Sequence, residues 1–91
     1  MLSFKTFDEV IERANNHELG LSSYICTNSM DKAHKASELM ETGTVAVNTP
    51  LVAIAEAPFG GIKQSGYGRE GGSNAIKDYL NVKYTHLGIR G

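Results

Sequence analysis

Residues 49–73 show no hydrophobic periodicity, helical or strand-like, in a chain of 91 residues. Six of the ten glycines fall here: Gly60, Gly61, Gly66, Gly68, Gly71 and Gly72. A loop of this length is uncommon inside a compact domain and is usually functional or disordered. Flexible Gly-rich linkers are Ser-rich and lack aromatics, whereas this one carries Ile54, Phe59, Ile62 and Tyr67. The expectation is an ordered loop that packs, with regular structure confined to either side of it.

Before the loop, Thr6-Phe7-Asp8-Glu9 has the form of a capping box, and Val10, Ile11 and Ala14 supply an apolar stripe at helical spacing. Asp8 and Glu9 lie at the positive end of the helix dipole, and His17 lies near the negative end. These signals predict a helix over about residues 7–17, stopped at Gly20. Residues 22–27 read as a short strand from Tyr24, Ile25 and Thr27. A second helix follows, capped by Asn28 or Ser29, with Ala33, Ala36, Leu39 and Met40 as its buried stripe and Gly43 as its end. Thr44-Val45-Ala46-Val47-Asn48 is apolar enough for a strand buried on both faces. Strand, helix and strand in this order are close to a βαβ unit. After the loop, Ser73 caps an expected third helix with Ala75, Ile76, Tyr79 and Leu80 on one face. Residues 82–86 alternate apolar and polar and read as an edge or interface strand. The order helix-strand-helix-strand-loop-helix-strand is α/β, and the length allows one small domain at most.

Composition removes several function classes. The hydrophobic fraction of 41% with a net charge of −1 is that of a folded chain, and no basic excess exists to hold nucleic acid or an anionic membrane. No apolar stretch approaches the roughly 20 residues that span a bilayer. The N-terminus, Met1-Leu2-Ser3-Phe4-Lys5, lacks the layout of a signal peptide. The expectation is a cytoplasmic chain with no nucleic-acid or membrane partner. Cys26 is the single cysteine, which excludes an internal disulfide and a Cys-based zinc site.

Gly66-Tyr67-Gly68-Arg69-Glu70-Gly71 is a literal G-x-G-x-x-G. A dinucleotide site would need a buried strand running into the glycines and an acidic residue about 20 positions on. Here a Pro/Gly loop precedes the motif, so the glycines are read as places where a turning backbone passes close to its neighbours. Ser29-Met30-Asp31-Lys32 matches S-x-x-K without the partner motifs of that enzyme class, and Ser29 is read as a helix cap. Cys26, inside an expected strand, is read as buried and inert. His17, His34 and His86 show no ligand spacing, and no metal site is expected. The residues alone give scaffold and one loop, without a complete catalytic constellation.

Three runs are more specific. They are Ala14-Asn15-Asn16 followed by Gly20-Leu21, Thr42-Gly43-Thr44-Val45-Ala46-Val47-Asn48, and Pro58-Phe59-Gly60-Gly61-Ile62-Lys63-Gln64-Ser65-Gly66-Tyr67-Gly68-Arg69-Glu70-Gly71. With Asp78-Tyr79-Leu80 and Lys83-Tyr84 they resemble the C-terminal end of aldehyde dehydrogenases, and Asp78 to Ile89 looks most like the succinate-semialdehyde dehydrogenase branch. The resemblance implies a C-terminal fragment of an aldehyde dehydrogenase catalytic domain over residues 1–91, with an interface strand at 82–86. It implies a parent enzyme that oxidises an aldehyde to an acid with NAD or NADP. The catalytic Cys, the Glu base, the oxyanion-holding Asn and the cofactor domain would lie upstream, so no catalytic or cofactor residue is expected in this chain. Its partners would be the remainder of the dehydrogenase and further copies in a homo-oligomer.

The resemblance also puts the loop from Asn48 to Phe59 at the mouth of the aldehyde channel, with Phe59 lining the pocket. Ala53 and Ile54 stand where succinate-semialdehyde enzymes tend to carry a polar residue for the substrate's distal carboxylate, and an apolar pair cannot hydrogen-bond one. Asn81 stands where many relatives have a Glu that forms ion pairs near the subunit interface. The competing reading is a truncated, non-enzymatic module that adds a strand to a partner.

Overall fold

Helix formation begins where the capping box predicts it. A computed structural model of the protein describes residues 1–90. Helix α1 runs Phe7–Asn15, and the Thr6 side chain accepts from the Glu9 amide at 3.1 Å. Glu9 accepts from the Lys5 amide at 3.0 Å and lies 3.5 Å from the Arg13 guanidinium. The helix ends two residues short of the expected position because Asn15 is used elsewhere. Its amide donates to the Leu39 carbonyl and accepts from the Glu41 amide, both at 2.8 Å.

Strands β1 (Leu19–Gly20) and β2 (Ser22–Ile25) follow, then helix α2 (Met30–Leu39) and strand β3 (Thr44–Val47). Ser29, rather than Asn28, caps α2 by accepting from the Lys32 amide. β2 and β3 pair in parallel, Ser22 opposite Thr44 through Ile25 opposite Val47, which gives the expected βαβ unit. β1 pairs antiparallel with β4 (Ile62–Lys63), a ladder inside the glycine-rich stretch that periodicity could not reveal in two-residue strands.

Neither Gly20 nor Gly43 acts as a helix stop. Gly20 lies in β1 and is buried, because a Cβ there would meet the Ile62 side chain and the Glu41 carbonyl. α2 ends at Met40, and Gly43 comes later, where the Gly60 carbonyl fills the place of its missing side chain.

The expectation for the third helix is corrected. Instead of an α-helix capped by Ser73, a single 3-10 helix spans Ala75–Tyr79, preceded by Asn74, which makes no side-chain cap. Short isolated helices are marginal in water, and here Ile76, Tyr79 and Leu80 are exposed with no face to pack on. Residues 82–86 pair with no strand among the described residues. Tyr84 and His86 touch edge-on, with ring centroids 6.3 Å apart.

Burial is the largest departure. Ala36 and Ala46 are the only buried hydrophobic residues among those described, so β3 is not a strand covered on both faces. Cys26 is exposed, contrary to expectation, because it follows β2 at an open groove between α1 and α2. The chain exposes 7944 Å², against about 5,200 Å² for a compact monomer of this size. Its radius of gyration is 19.1 Å, against about 12 Å for a globule of this length. No helix among the described residues is long and apolar enough to cross a membrane.

With so little buried side chain, backbone contacts between glycines must hold the loop. Gly43→Ala is expected to destabilise the protein by about 1–3 kcal/mol, the usual penalty of overpacking, because the new Cβ would overlap the Gly60 carbonyl. A lower urea midpoint at unchanged slope would show this, and an unchanged midpoint would contradict the close approach.

Candidate functional site

The glycine-rich stretch closes on itself. Phe59 and Glu70 form an antiparallel bridge in which each amide donates to the other's carbonyl at 2.7 Å. Between them the chain turns at Lys63, Gly66 and Gly68, all at positive φ, and Gly71 and Gly72 follow in the same region. A Cβ on Gly71 would meet the Ala57 carbonyl, and one on Gly72 would press on Pro58. These glycines therefore serve turning and close approach.

Two cations hold the turns. Arg69 Nη1 donates to the carbonyls of Gly61 at 2.9 Å and Gly68 at 2.7 Å, tying both ends of the tip together. Its backbone amide reaches the Asp78 carboxylate at 3.5 Å. No ion pair of the Arg69 side chain occurs among the described residues, and Asn81 is exposed. Lys63 adopts φ 56°, a region disfavoured for a side-chain-bearing residue. Its ammonium donates to the carbonyls of Asn15 at 2.9 Å and His17 at 3.2 Å, and lies 3.7 Å from Glu41. A cation on carbonyls at a helix C-terminus is favourably placed.

The structure brings Ala53, Ile54 and Phe59 to one shallow groove of about 280 Å³, completed by Ala55, Ala57 and Glu70–Gly71. Phe59 is half-buried, while Ala53 and Ile54 are exposed. On its other side Phe59 lines a larger groove of about 580 Å³ with Tyr67, Arg69, Asp78 and Tyr79. The smaller groove is mostly apolar and able to contact a carbon chain, while the larger also presents Arg69, Glu70 and Asp78; neither holds a nucleophile paired with a base. Cys26 lies outside both, in the groove between the helices.

A dinucleotide does not fit the G-x-G-x-x-G of this chain. The positive end of a helix should follow the glycines, and here they are folded into turns and followed only by a 3-10 helix. No group of three or more His, Cys, Asp or Glu able to hold a metal occurs among the described residues. Ser29 is a helix cap, as its sequence context indicated.

Sequence reading missed the frame around the loop: Asn15, Lys63, Arg69 and Asn48. The apolar run Thr44–Asn48 reads as strand to its last residue, whereas β3 ends at Val47. The signal of Asn48 was available, since Asn is enriched among non-glycine residues in the left-handed region, where it lies at φ 58°.

The parallel βαβ unit and the closed glycine loop it carries define a piece of a larger α/β domain. The sequence profile of the aldehyde dehydrogenase family matches residues 1–85, and the chain belongs to that family. It is 48% identical over 88 residues to the 3-sulfolactaldehyde dehydrogenase of Pseudomonas putida, covering 97% of this chain and 18% of that protein. It is 44% identical over 88 residues to the mitochondrial succinate-semialdehyde dehydrogenase of Arabidopsis thaliana, covering 97% of this chain and 17% of that protein. The NAD+ complex of an aldehyde dehydrogenase from Bacillus cereus superposes with a TM-score of 0.90 at 43% identity, over 98% of this chain and 18% of that one. The chain thus spans about a sixth of the length of the relatives it matches.

Arg69→Ala removes both bonds that tie the loop tip. Bonds from a charged donor are worth about 1.5–3 kcal/mol each when shielded, and a half-exposed site gives less. The expected cost is roughly 1–2 kcal/mol by the same reasoning. Faster proteolysis within residues 60–70 would accompany it; an unchanged digestion pattern would show that Arg69 does not hold the tip.

Proposed function

We propose that this chain forms one wall of the aldehyde channel of an NAD- or NADP-dependent aldehyde dehydrogenase. The remainder of the dehydrogenase supplies the reactive Cys, the base and the dinucleotide domain, and oxidation of aldehyde to acid takes place there. The observation that carries this reading is the convergence of Ala53, Ile54 and Phe59 on one groove in a chain of this family. A half-buried aromatic beside two small or aliphatic side chains packs a carbon chain and excludes water. Neither Ala53 nor Ile54 offers a hydrogen bond to a substrate carboxylate, which favours aldehydes without a second acidic group at that point.

The test uses the chain with and without its remainder. The complete enzyme is expected to form NADH or NADPH from aldehydes, and the 91-residue chain alone is expected to form none. Activity of the chain alone that disappears in Cys26→Ala would overturn the assignment. In the complete enzyme, Phe59→Ala should lower kcat/KM for aldehydes about tenfold. This is less than the roughly 3–5 kcal/mol lost when a core aromatic is truncated, because a channel wall is partly open. Cofactor affinity should be unchanged; a fall in it with normal aldehyde kinetics would show that Phe59 is misplaced.

The same reading includes association into a homo-oligomer through residues 82–86. Val82 and Tyr84 are almost fully exposed, and neither is paired to a strand among the described residues. Unpaired strand-forming segments and apolar patches promote pairing with other chains. The chain is expected to sediment as a dimer, the commonest symmetric assembly. Replacing Val82 and Tyr84 with Lys should shift it toward monomer. A wild-type chain that stays monomeric at high concentration would exclude the interface strand.

A further inference from the structure

The left-handed residue at the end of β3 does more than turn the chain. β2 and β3 stop opposite one another at Ile25 and Val47, and the Asn48 amide makes one more rung by donating to the Ile25 carbonyl at 2.8 Å. At φ 58° the Asn48 backbone then leaves the sheet. Its side chain stays behind. Oδ1 accepts from the Thr27 amide and Nδ2 donates to the Thr27 carbonyl, both at 2.9 Å. A primary amide thus stands in for the peptide unit that the turning backbone has withdrawn. Thr27 is itself tied to the start of α2, since its hydroxyl accepts from the Ser29 amide at 3.1 Å.

We propose that Asn48 is a positioning residue, whose amide clamp on Thr27 sets where the loop Thr49–Pro58 leaves the sheet and so where Ala53 and Ile54 stand relative to Phe59. This rests on the reading of that loop as a channel wall. The location suits the role, because ligands of α/β sheets bind beyond the carboxyl ends of parallel strands. The loop has two feet. The far one is the Phe59–Glu70 bridge, with the Gly72 amide donating to the Ala55 carbonyl at 2.9 Å. The near one is Asn48, followed by Thr49, which Pro50 keeps out of helical conformation. Ala53 and Ile54 are exposed between the feet, so their place follows from where the feet stand.

The two properties of Asn48 can be separated. Asn48→Gly adopts the left-handed conformation freely but has no amide. Asn48→Asp retains the acceptor for the Thr27 amide but cannot donate to the Thr27 carbonyl. Asn48→Ala loses the clamp and is also strained at this φ. In the complete enzyme, Asn48→Gly should raise KM for aldehydes about tenfold, the equilibrium equivalent of one to two net hydrogen bonds. Its kcat should change little, as expected when binding alone is lost, and KM for NAD or NADP should not change. Asn48→Asp should fall between Asn48→Gly and wild type. Hydrogen exchange on the same samples should be faster in Asn48→Gly at Thr27 and across residues 49–58, and unchanged at 60–70.

Normal aldehyde KM in Asn48→Gly with lowered thermal stability would reduce Asn48 to a structural role and overturn the proposal. Unchanged exchange at Thr27 would overturn the clamp itself. If the complete wild-type enzyme oxidises no aldehyde, the channel reading fails and the positioning role fails with it, while the exchange comparison still decides whether the clamp exists.

Discussion

Gly43 and Gly60 bring their backbones so close that the Gly60 carbonyl occupies the place of a side chain on Gly43. The seat of the glycine-rich loop depends on that contact. The contact puts that loop on the start of β3, in line with β4 pairing to β1. It leaves the Gly61 carbonyl in reach of Arg69, and it places Gly61 against Ser65, whose hydroxyl accepts from the Gly20 amide at 2.8 Å. Such contacts between bare backbones are possible only where there is no Cβ, and here they stand in for the interlocking side chains of an ordinary core.

Helix α1 and the βαβ unit are legible because their signals are local. Thr6 and Glu9, Ser29, and the apolar run at Thr44–Val47 each report on a few neighbouring residues, and the elements lie close to where those signals put them. The third helix is illegible for the opposite reason. Ile76, Tyr79 and Leu80 carry an apolar helical pattern, but a pattern becomes structure only against a surface, and the described residues supply none. Cys26 was misjudged likewise, since a strand-end cysteine is buried only if something covers it. The frame around the loop was illegible because it is made of long-range polar contacts. Asn15 reaches Leu39 and Glu41, Lys63 reaches Asn15 and His17, and Asn48 reaches Thr27. No periodicity announces such bonds.

The near-absence of buried side chains has a thermodynamic consequence. Ordering each residue costs about 1–2 kcal/mol of backbone entropy, and that cost is normally offset by apolar burial. Two buried alanines offset little. The groove between α1 and α2 and the row from Ile76 to Ile89 leave further apolar surface uncovered. This agrees with a segment that spans about a sixth of its relatives.

All positive-φ residues among those described lie between Asn48 and Gly72. This stretch is therefore built of turns, and its order comes from identified backbone and amide bonds rather than from packing. The side chains of Ala53 and Ile54 make no hydrogen bond in the frame; the bonds near them, from the Ala57 amide to the Ile54 carbonyl and from Gly72 to Ala55, are backbone bonds that almost any residue would keep. Substitution at 53 or 54 would change the lining of the groove without removing a strut. Substitution at Asn48, Gly43 or Arg69 would move the struts. A segment divided in this way can keep one fold while the lining of its groove changes.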